Sequence, residues 1–181
     1  MAAFIADVSC RTPKSLSEAL SIPVWRATIE KENSALLKRG TFRPEIRPEG
    51  RKVLDYKYVF ATKVNRATGT VTEHKARLVI RGDRMIQFQD YFFITSSVAG
   101  KKVFRFLMAL VALLDLSMVW CDVKNAFIQG EMDVPIWMKA PPNFLSPKQI
   151  EGGYALRVVK SVYRAKQAAA IWEKTYDKAL L

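Results

Sequence analysis

Asp122 is the side chain best placed to do chemistry, because it directly follows an apolar run. That run, residues 118–121, is short and rich in strand-favouring residues, so it predicts a strand buried on both faces. An ionised aspartate at the end of a buried strand is costly unless a cation, a cap or a metal meets it. Carboxylates of this kind hold the Mg²⁺ ions of enzymes that transfer nucleotidyl groups. Asp122 is therefore a candidate metal ligand; the alternative is that it caps the following turn or pairs with Lys124.

A second group of candidate functional residues is a set of three cations on one predicted strand, residues 71–81. The cations are Lys75, Arg77 and Arg81. They occupy odd positions and project from one face, whereas the even positions are mostly apolar. A strand that is apolar on one side and cationic on the other suits contact with a triphosphate or a template backbone. The alternative is an ordinary solvated face. The only histidine, His74, is predicted to be an exposed residue of this strand.

Local sequence patterns predict the strands and helices that carry these side chains. Residues 53–63 and 71–81 are β-rich runs joined by NRATG, and its Asn65 and Gly69 suit a tight turn, so they predict a hairpin. Residues 135–139 and 154–159 are shorter strand candidates that could complete a small sheet behind Asp122.

Helical periodicity predicts helices on both sides of these strands. Residues 24–38 place Trp25, Ile29, Leu36 and Leu37 near one face, with Gly40 at the end. A shorter helix capped by Ser15 or Ser17 precedes it. Residues 103–114 are apolar almost all round and predict a core helix. The segment from Lys160 to Leu181 continues as a helix that carries Ala168, Ile171, Trp172, Tyr176 and Leu180.

Charge and composition suggest a soluble fold with an anionic partner. The chain has 181 residues, 50% of them hydrophobic, which is enough for a real core. The net charge of +12 favours a polyanion, and nucleic acid is the first candidate. The alternative is a basic protein without such a partner, because net charge reports stickiness and not specificity.

Cysteine usage and targeting signals predict an intracellular protein, in the cytoplasm or nucleus. Cys10 and Cys121 are far apart, so a disulfide framework is not expected. The N-terminal run has no basic region before it and contains an aspartate, so it makes a poor signal peptide. The longest apolar stretch, residues 104–120, is interrupted by Arg105 and Asp115 and is not expected to span a membrane.

The stretch CDVKNAFIQGEMDVPIWMKAPPNF resembles the first catalytic motif of copia-type retrotransposon reverse transcriptases. Residues of that motif stand unchanged at Asp122, Lys124, Asn125, Ala126, Phe127 and Gly130. Upstream, GRKVLDYKYVFATK and TVTEHKARLVIRG resemble the family's fingers hairpin, and downstream, VVKSVYRAKQAAAIWEK resembles a second motif. The resemblance covers roughly residues 13–181 with the motifs in the expected order, which is far more specific than any lone motif.

The resemblance implies an α+β fold, made of a fingers hairpin and an incomplete palm of a right-hand polymerase. Residues 1–12 would be an unstructured N-terminus, 13–100 a fingers-like region and 101–181 part of the palm. The implied activity is RNA-directed DNA polymerisation with Mg²⁺, an RNA/DNA template-primer and a deoxynucleoside triphosphate. The oligomeric state is left open.

The resemblance also implies roles for single residues. Asp122 would be the catalytic, metal-binding carboxylate. Lys75, Arg77 and Arg81 would grip phosphates. Asn125, Ala126 and Phe127 would contact nucleotide or template, with the Phe127 ring under the sugar, where it leaves no room for a 2′-hydroxyl.

Two departures from the family pattern bear on activity. The second motif has glycine where this chain has Arg164, and glycine permits close backbone approach. The family also needs a Tyr-x-Asp-Asp hairpin, yet this sequence contains no Asp-Asp pair. One carboxylate cannot hold two Mg²⁺ ions about 4 Å apart, so the 181 residues alone are expected to be inactive. The alternatives are a non-catalytic nucleic-acid-binding module and a decayed relic that folds poorly because a sheet edge is open.

Overall fold

The computed structural model of this chain describes residues 11–97, 99–119 and 121–180. Its helices are α1 (Leu16–Ser21), α2 (Pro23–Lys38), α3 (Lys101–Leu113), α4 (Pro147–Glu151) and α5 (Ala168–Leu180). Its strands are β1 (Phe42–Ile46), β2 (Val53–Leu54), β3 (Tyr56–Val64), β4 (Val71–Ile80), β5 (Glu131–Met138) and β6 (Tyr154–Lys160). Single 3₁₀ turns cover Gly82–Arg84 and Ala126–Ile128. The predicted α+β class is therefore confirmed in its coarse form.

The predicted hairpin is formed by β3 and β4, which pair antiparallel from Tyr56↔Ile80 onwards. Its connection closes as expected, because the amide of Asn65 donates to the Thr70 carbonyl and the amide of Gly69 donates to the Asn65 carbonyl. A two-stranded ribbon is marginal in water unless a layer covers one face. Here that layer is α2.

Helix α2 covers the hairpin with the face that its periodicity predicts. Trp25, Ile29 and Leu36 are fully or almost fully buried, whereas Leu37 is 47% exposed and lies off that face. The Trp25 ring stands edge-on to Phe60 and His74, with ring centroids 5.4 and 4.7 Å away.

His74 was expected to be exposed, and that prediction is wrong. Its side chain is half-buried, and its Nδ1 has no hydrogen-bond partner among the described residues. Periodicity placed His74 correctly on the even face of β4. It gave no information that α2 would cover that face.

The other strands form a four-stranded sheet in the order β1-β6-β5-β2. β1 and β5 flank β6 antiparallel, and the two residues of β2 pair parallel with the end of β5. The strands predicted at 135–139 and 154–159 are thereby confirmed. Their inward side chains, Ile136, Met138, Leu156 and Val158, are each 1% exposed and join the core cluster that also contains the hairpin.

Helix α3 exists where the sequence predicts it, but its predicted burial is wrong. None of its residues is buried within the described part of the chain, and Phe106 is 63% exposed. Apolar periodicity indicates that a helix has a surface to cover, but it does not say which residues will cover it.

The strand predicted at residues 118–121 is also absent from the described residues of that segment. Val119 is 82% exposed and Cys121 is an exposed free thiol. A short apolar run becomes a strand only when a neighbour pairs with its backbone. Asp122 therefore does not stand at the end of a buried strand, and the small sheet does not lie directly behind a strand that carries it.

The predicted unstructured N-terminus lies largely outside the described residues, as does Cys10. Arg11 and Thr12 are described and are held by the fold. The Arg11 carbonyl accepts a hydrogen bond from the Trp25 indole (3.2 Å), and the Thr12 hydroxyl bonds that of Thr62 (2.8 Å). Within the described ranges, no helix combines the length and apolar character that crossing a membrane requires.

Candidate functional site

Asp122, the predicted catalytic and metal-binding residue, is exposed. Among the described residues it has no hydrogen-bond or ion-pair partner, so neither the turn cap nor the pair with Lys124 forms. No group of three or more His, Cys, Asp or Glu side chains in the described ranges could hold a metal ion. The donor set therefore does not fit the two-Mg²⁺ arrangement, which needs several converging carboxylates.

Lys75 and Arg77 lie on β4, whereas Arg81 follows the last residue of that strand, and two of these three predicted cations are paired locally. Lys75 Nζ lies 3.4 Å from the Glu73 carboxylate, which Lys63 also approaches at 3.2 Å. The neighbouring Lys63 lowers the pKa of Glu73. These contacts keep Lys75 on the surface of the hairpin.

Arg81 holds Asp83 through a two-pronged ion pair of 2.6–3.1 Å. This guanidinium lowers the pKa of the Asp83 carboxyl to about 2. The Arg81 guanidinium is therefore paired within the turn that follows β4.

Arg77 is the predicted cation that faces other candidate site residues. Its guanidinium carbon lies 5.5 Å from the centroid of the Tyr163 ring, a cation–π arrangement. The same ring meets Phe127 edge-on, with centroids 6.3 Å apart. Tyr163 thus joins two side chains that are 50 positions apart in the sequence.

These residues line a cleft of about 530 Å³, called here the Tyr163 cleft. Its lining is Val59, Arg77, Val79, Phe127, Tyr163, Arg164, Ala165, Lys166, Ala168 and Ala169. Three cations and two aromatic rings share this surface. Such a lining can hold an anion and stack a flat or ring-shaped group.

Asn125, which is not among the residues that line the Tyr163 cleft, lies in the left-handed backbone region, with φ 55° and ψ 41°. Asparagine tolerates this conformation better than most residues. The amide orientation that satisfies its neighbours lets Nδ2 donate to the Tyr163 hydroxyl (2.9 Å) and lets Oδ1 accept from both terminal nitrogens of Arg39 (2.5 and 2.9 Å). Ala126, the next predicted site residue, is half-buried in the 3₁₀ turn and does not line the cleft.

Tyr163 and Arg39 are among the site residues that sequence reasoning missed. Tyr163 lies in the recognised segment VVKSVYRAK, so its motif was the available signal. Arg39 follows the last turn of α2 and carries no such signal. Burial, with the charge of Glu32 adding to it, raises the pKa of the Tyr163 hydroxyl and keeps it protonated.

Glu32 contributes to the site from α2, where its carboxylate accepts a hydrogen bond from the unpaired edge of the hairpin. The amide of Leu78 donates to its carboxylate, while the amide of Ile80 on the same edge donates to the Tyr163 carbonyl (3.2 Å). One carboxylate oxygen of Glu32, Oε1, is buried without a partner. Burial raises the pKa of Glu32, and Arg77 and Arg39 oppose that shift.

Replacing Glu32 with glutamine is expected to stabilise the protein at neutral pH. Because the folded-state pKa of Glu32 lies above its ordinary value of 4.5, the native state holds a proton that the unfolded chain has lost. Its contribution to stability therefore falls as the pH rises from about 4.5 through the folded-state value, and Gln removes this loss while keeping an acceptor for Leu78. Urea denaturation of wild type and Glu32→Gln from pH 4 to 8 measures the difference.

The matched control is Glu30→Gln, an exposed carboxylate on the same helix. It should follow the wild-type pH profile. A Glu32→Gln curve that also follows wild type would show that Glu32 is not penalised by its burial.

Arg164 occupies the position where the family pattern has glycine, and its backbone explains that preference. It adopts φ 67°, in the left-handed region that disfavours a long side chain. Its exposed side chain lines the mouth of the Tyr163 cleft. The Arg164 side chain, which stands where a glycine would permit close approach to the backbone, therefore lies at the cleft.

Arg164→Gly is expected to raise the free energy of unfolding by about 1 kcal/mol, because it relieves the left-handed strain without emptying a core site. Arg164→Ala is the matched variant: it removes the same side chain and keeps the strain, so it should be nearly neutral. Thermal and urea denaturation of both proteins separate the two effects. Equal stabilities of the Gly and Ala variants would contradict the strain.

The family model described as reverse transcriptase (RNA-dependent DNA polymerase) matches residues 40–181. The chain belongs to the reverse transcriptase family. It is 33% identical over 172 residues to a retrovirus-related Pol polyprotein from transposon TNT 1-94 of Nicotiana tabacum. It is 26% identical to the corresponding polyproteins from transposons RE2 and RE1 of Arabidopsis thaliana. No solved structure matches it significantly.

These alignments cover 92%, 88% and 88% of this reverse transcriptase chain but only 13%, 11% and 11% of the three polyproteins. The chain therefore corresponds to a fragment of a copia-type Pol polyprotein, within its reverse transcriptase region. The predicted resemblance is confirmed at the level of the family. The roles of single residues remain predictions.

Proposed function

We propose that this chain forms the part of a copia-type reverse transcriptase that contacts the incoming nucleotide and the template-primer. The supporting observation is the Tyr163 cleft, where Arg77, Asn125 and Phe127 converge on one aromatic ring from separate segments. All three were singled out from sequence for nucleotide or template contact. The proposal places the protein in a reducing intracellular compartment.

The chemistry of the cleft assigns each side chain a task. Arg77, with Arg164 and Lys166 beside it, supplies cationic hydrogen-bond donors for phosphate oxygens. Phe127, edge-on to Tyr163, supplies the apolar wall that a 2′-deoxyribose tolerates and a 2′-hydroxyl does not. The chain's own residues thus bind and orient a nucleotide.

The proposal includes an incomplete catalytic centre. The family's chemistry implies Mg²⁺, which would neutralise the charge that develops on the transferring phosphoryl group. Asp122 is the carboxylate this chain would contribute, and its described surroundings supply no further converging ligands. We therefore expect no extension of an RNA/DNA template-primer by the 181-residue chain, and extension by it would overturn this part of the proposal.

Binding of an RNA/DNA duplex tests the proposed contact with the template-primer. Electrophoretic retardation of a fluorescent RNA/DNA duplex is measured from low to moderate salt with wild type, Arg77→Ala and Arg81→Ala. Loss of a phosphate-contacting arginine should weaken binding and reduce the slope of log affinity against log salt by about 1. Arg77→Ala is expected to do so.

Arg81→Ala is the matched control, because Arg81 is already paired with Asp83. It should change the slope much less. Equal effects of the two variants would indicate a diffuse response to net charge, and no retardation of wild type at low salt would count against nucleic-acid binding altogether.

A further inference from the structure

We infer that Arg39 is a positioning residue of the Tyr163 cleft, which it controls by holding Asn125 and, through Asn125, the Tyr163 ring. The inference deepens the proposed function and rests on it, because it assigns the sugar-facing wall of the cleft to this linkage. Arg39 itself is not among the residues that line the cleft.

The first step is the contact between Arg39 and Asn125. Two guanidinium nitrogens share one amide oxygen at 2.5 and 2.9 Å, and Arg39 is half-buried where the chain leaves α2. Charge-assisted bonds of this kind are roughly twice as strong as neutral ones. They also fix direction, because the donors of a guanidinium lie in a rigid plane.

The second step links Asn125 to both rings of the cleft. Its side-chain nitrogen donates to the Tyr163 hydroxyl, so the tip of this ring is held from behind. Its left-handed backbone begins the 3₁₀ turn from which Phe127 projects two residues later. One asparagine therefore sets the position of two aromatic rings that meet edge-on.

The linkage determines how firmly the aromatic wall is held against a bound nucleotide. A steric wall discriminates only if it cannot retreat, because a ring that moves aside admits an extra hydroxyl. Arg77 lies over the Tyr163 ring, while the hydroxyl is anchored by Asn125. Without Arg39, the asparagine amide loses its charged partners and can turn, and the wall loosens.

Nuclear magnetic resonance of protein labelled in its six tyrosines tests the linkage directly. Tyr163→Phe assigns the Tyr163 signal. Arg39→Met, which keeps an unbranched apolar stem but removes the donors, is expected to shift the Tyr163 signal and leave the others in place. Arg39→Lys should behave like Met, because an ammonium keeps the charge but cannot reproduce the planar fork.

The matched control is Lys38→Met, an exposed cation one position earlier. It should leave the Tyr163 signal unchanged. An unchanged Tyr163 signal in Arg39→Met, or an equal shift in Lys38→Met, would overturn the inference.

Calorimetric titration with 2′-deoxyadenosine triphosphate and adenosine triphosphate provides the second readout. We expect Arg39→Met to reduce the preference for the deoxynucleotide by about tenfold, which corresponds to the loss of a charge-assisted hydrogen bond. A shifted Tyr163 signal with an unchanged preference would limit Arg39 to a structural role and overturn the inference.

The two readouts keep the inference separable from the proposed function. Wild type that binds neither nucleotide would count against the proposed function and, with it, against a wall that faces a sugar. The Tyr163 signal of the nucleotide-free protein would still decide whether Arg39 positions the ring.

Discussion

Gly82→Ala is expected to lower the free energy of unfolding by about 3 kcal/mol, because backbone and not a yielding side chain occupies the space that a Cβ needs. A Cβ at Gly82 would overlap the carbonyl oxygen of Arg164 and lie 3.1 Å from its carbonyl carbon. This contact joins the turn after β4 to the loop that carries Tyr163. The substitution should therefore also disturb the Tyr163 cleft.

Urea denaturation measures this loss, with Gly100→Ala as the matched control. Nothing lies within 4 Å of a Cβ built at Gly100, and its φ of −65° suits any residue. Because Gly100 is the N-cap of α3, where alanine is less favourable than glycine, that variant should lose no more than about 1 kcal/mol. A Gly82→Ala protein of wild-type stability would show that the two loops do not pack as described.

Trp25→Ala is expected to cost about 4 kcal/mol, in the range for large aromatic side chains removed from cores. Trp25 is 0% exposed, stands edge-on to Phe60 and His74, and donates to the Arg11 carbonyl. Its loss empties the layer between α2 and the hairpin. The hairpin alone cannot close this gap, because its other face carries the charged row of β4.

Chemical denaturation with Phe93→Ala as control isolates the effect of burial. Phe93 is 73% exposed, so its truncation should cost less than about 0.5 kcal/mol. A loss below about 1 kcal/mol for Trp25→Ala would contradict the packing of α2 on the hairpin. A broad, non-cooperative transition of wild type itself would favour the alternative that the chain is a poorly folding relic.

Local elements were predictable wherever residues a few positions apart are sufficient to form them. The Ser15 cap is real, since its hydroxyl accepts from the Glu18 amide, and Asn65 and Gly69 close the hairpin. The apolar stripe of α2 identified the buried face, with Leu37 as the exception. These features depend on neighbours a few positions away, so the local sequence contains the information.

The candidate site was predictable only in part. The motif around Asp122 and the cations of β4 were visible in the sequence, yet Lys75 and Arg81 are paired with carboxylates two positions away. Arg77 has no such local partner and turns to Tyr163. Local ion pairs thus decided which cation of an apparently uniform row faces the cleft.

The family, the hairpin, the main helices and the absence of an Asp-Asp pair could be predicted, because the order of motifs and local periodicity are encoded along the chain. The lack of buried residues in α3, the exposure of residues 116–119 and the contact of Arg39 with Asn125 became visible only in the folded chain, within its described residues. Burial and hydrogen bonding between distant segments depend on which surfaces meet when the chain packs. An apolar run favours burial against another segment, and the tertiary packing determines whether such a segment covers it.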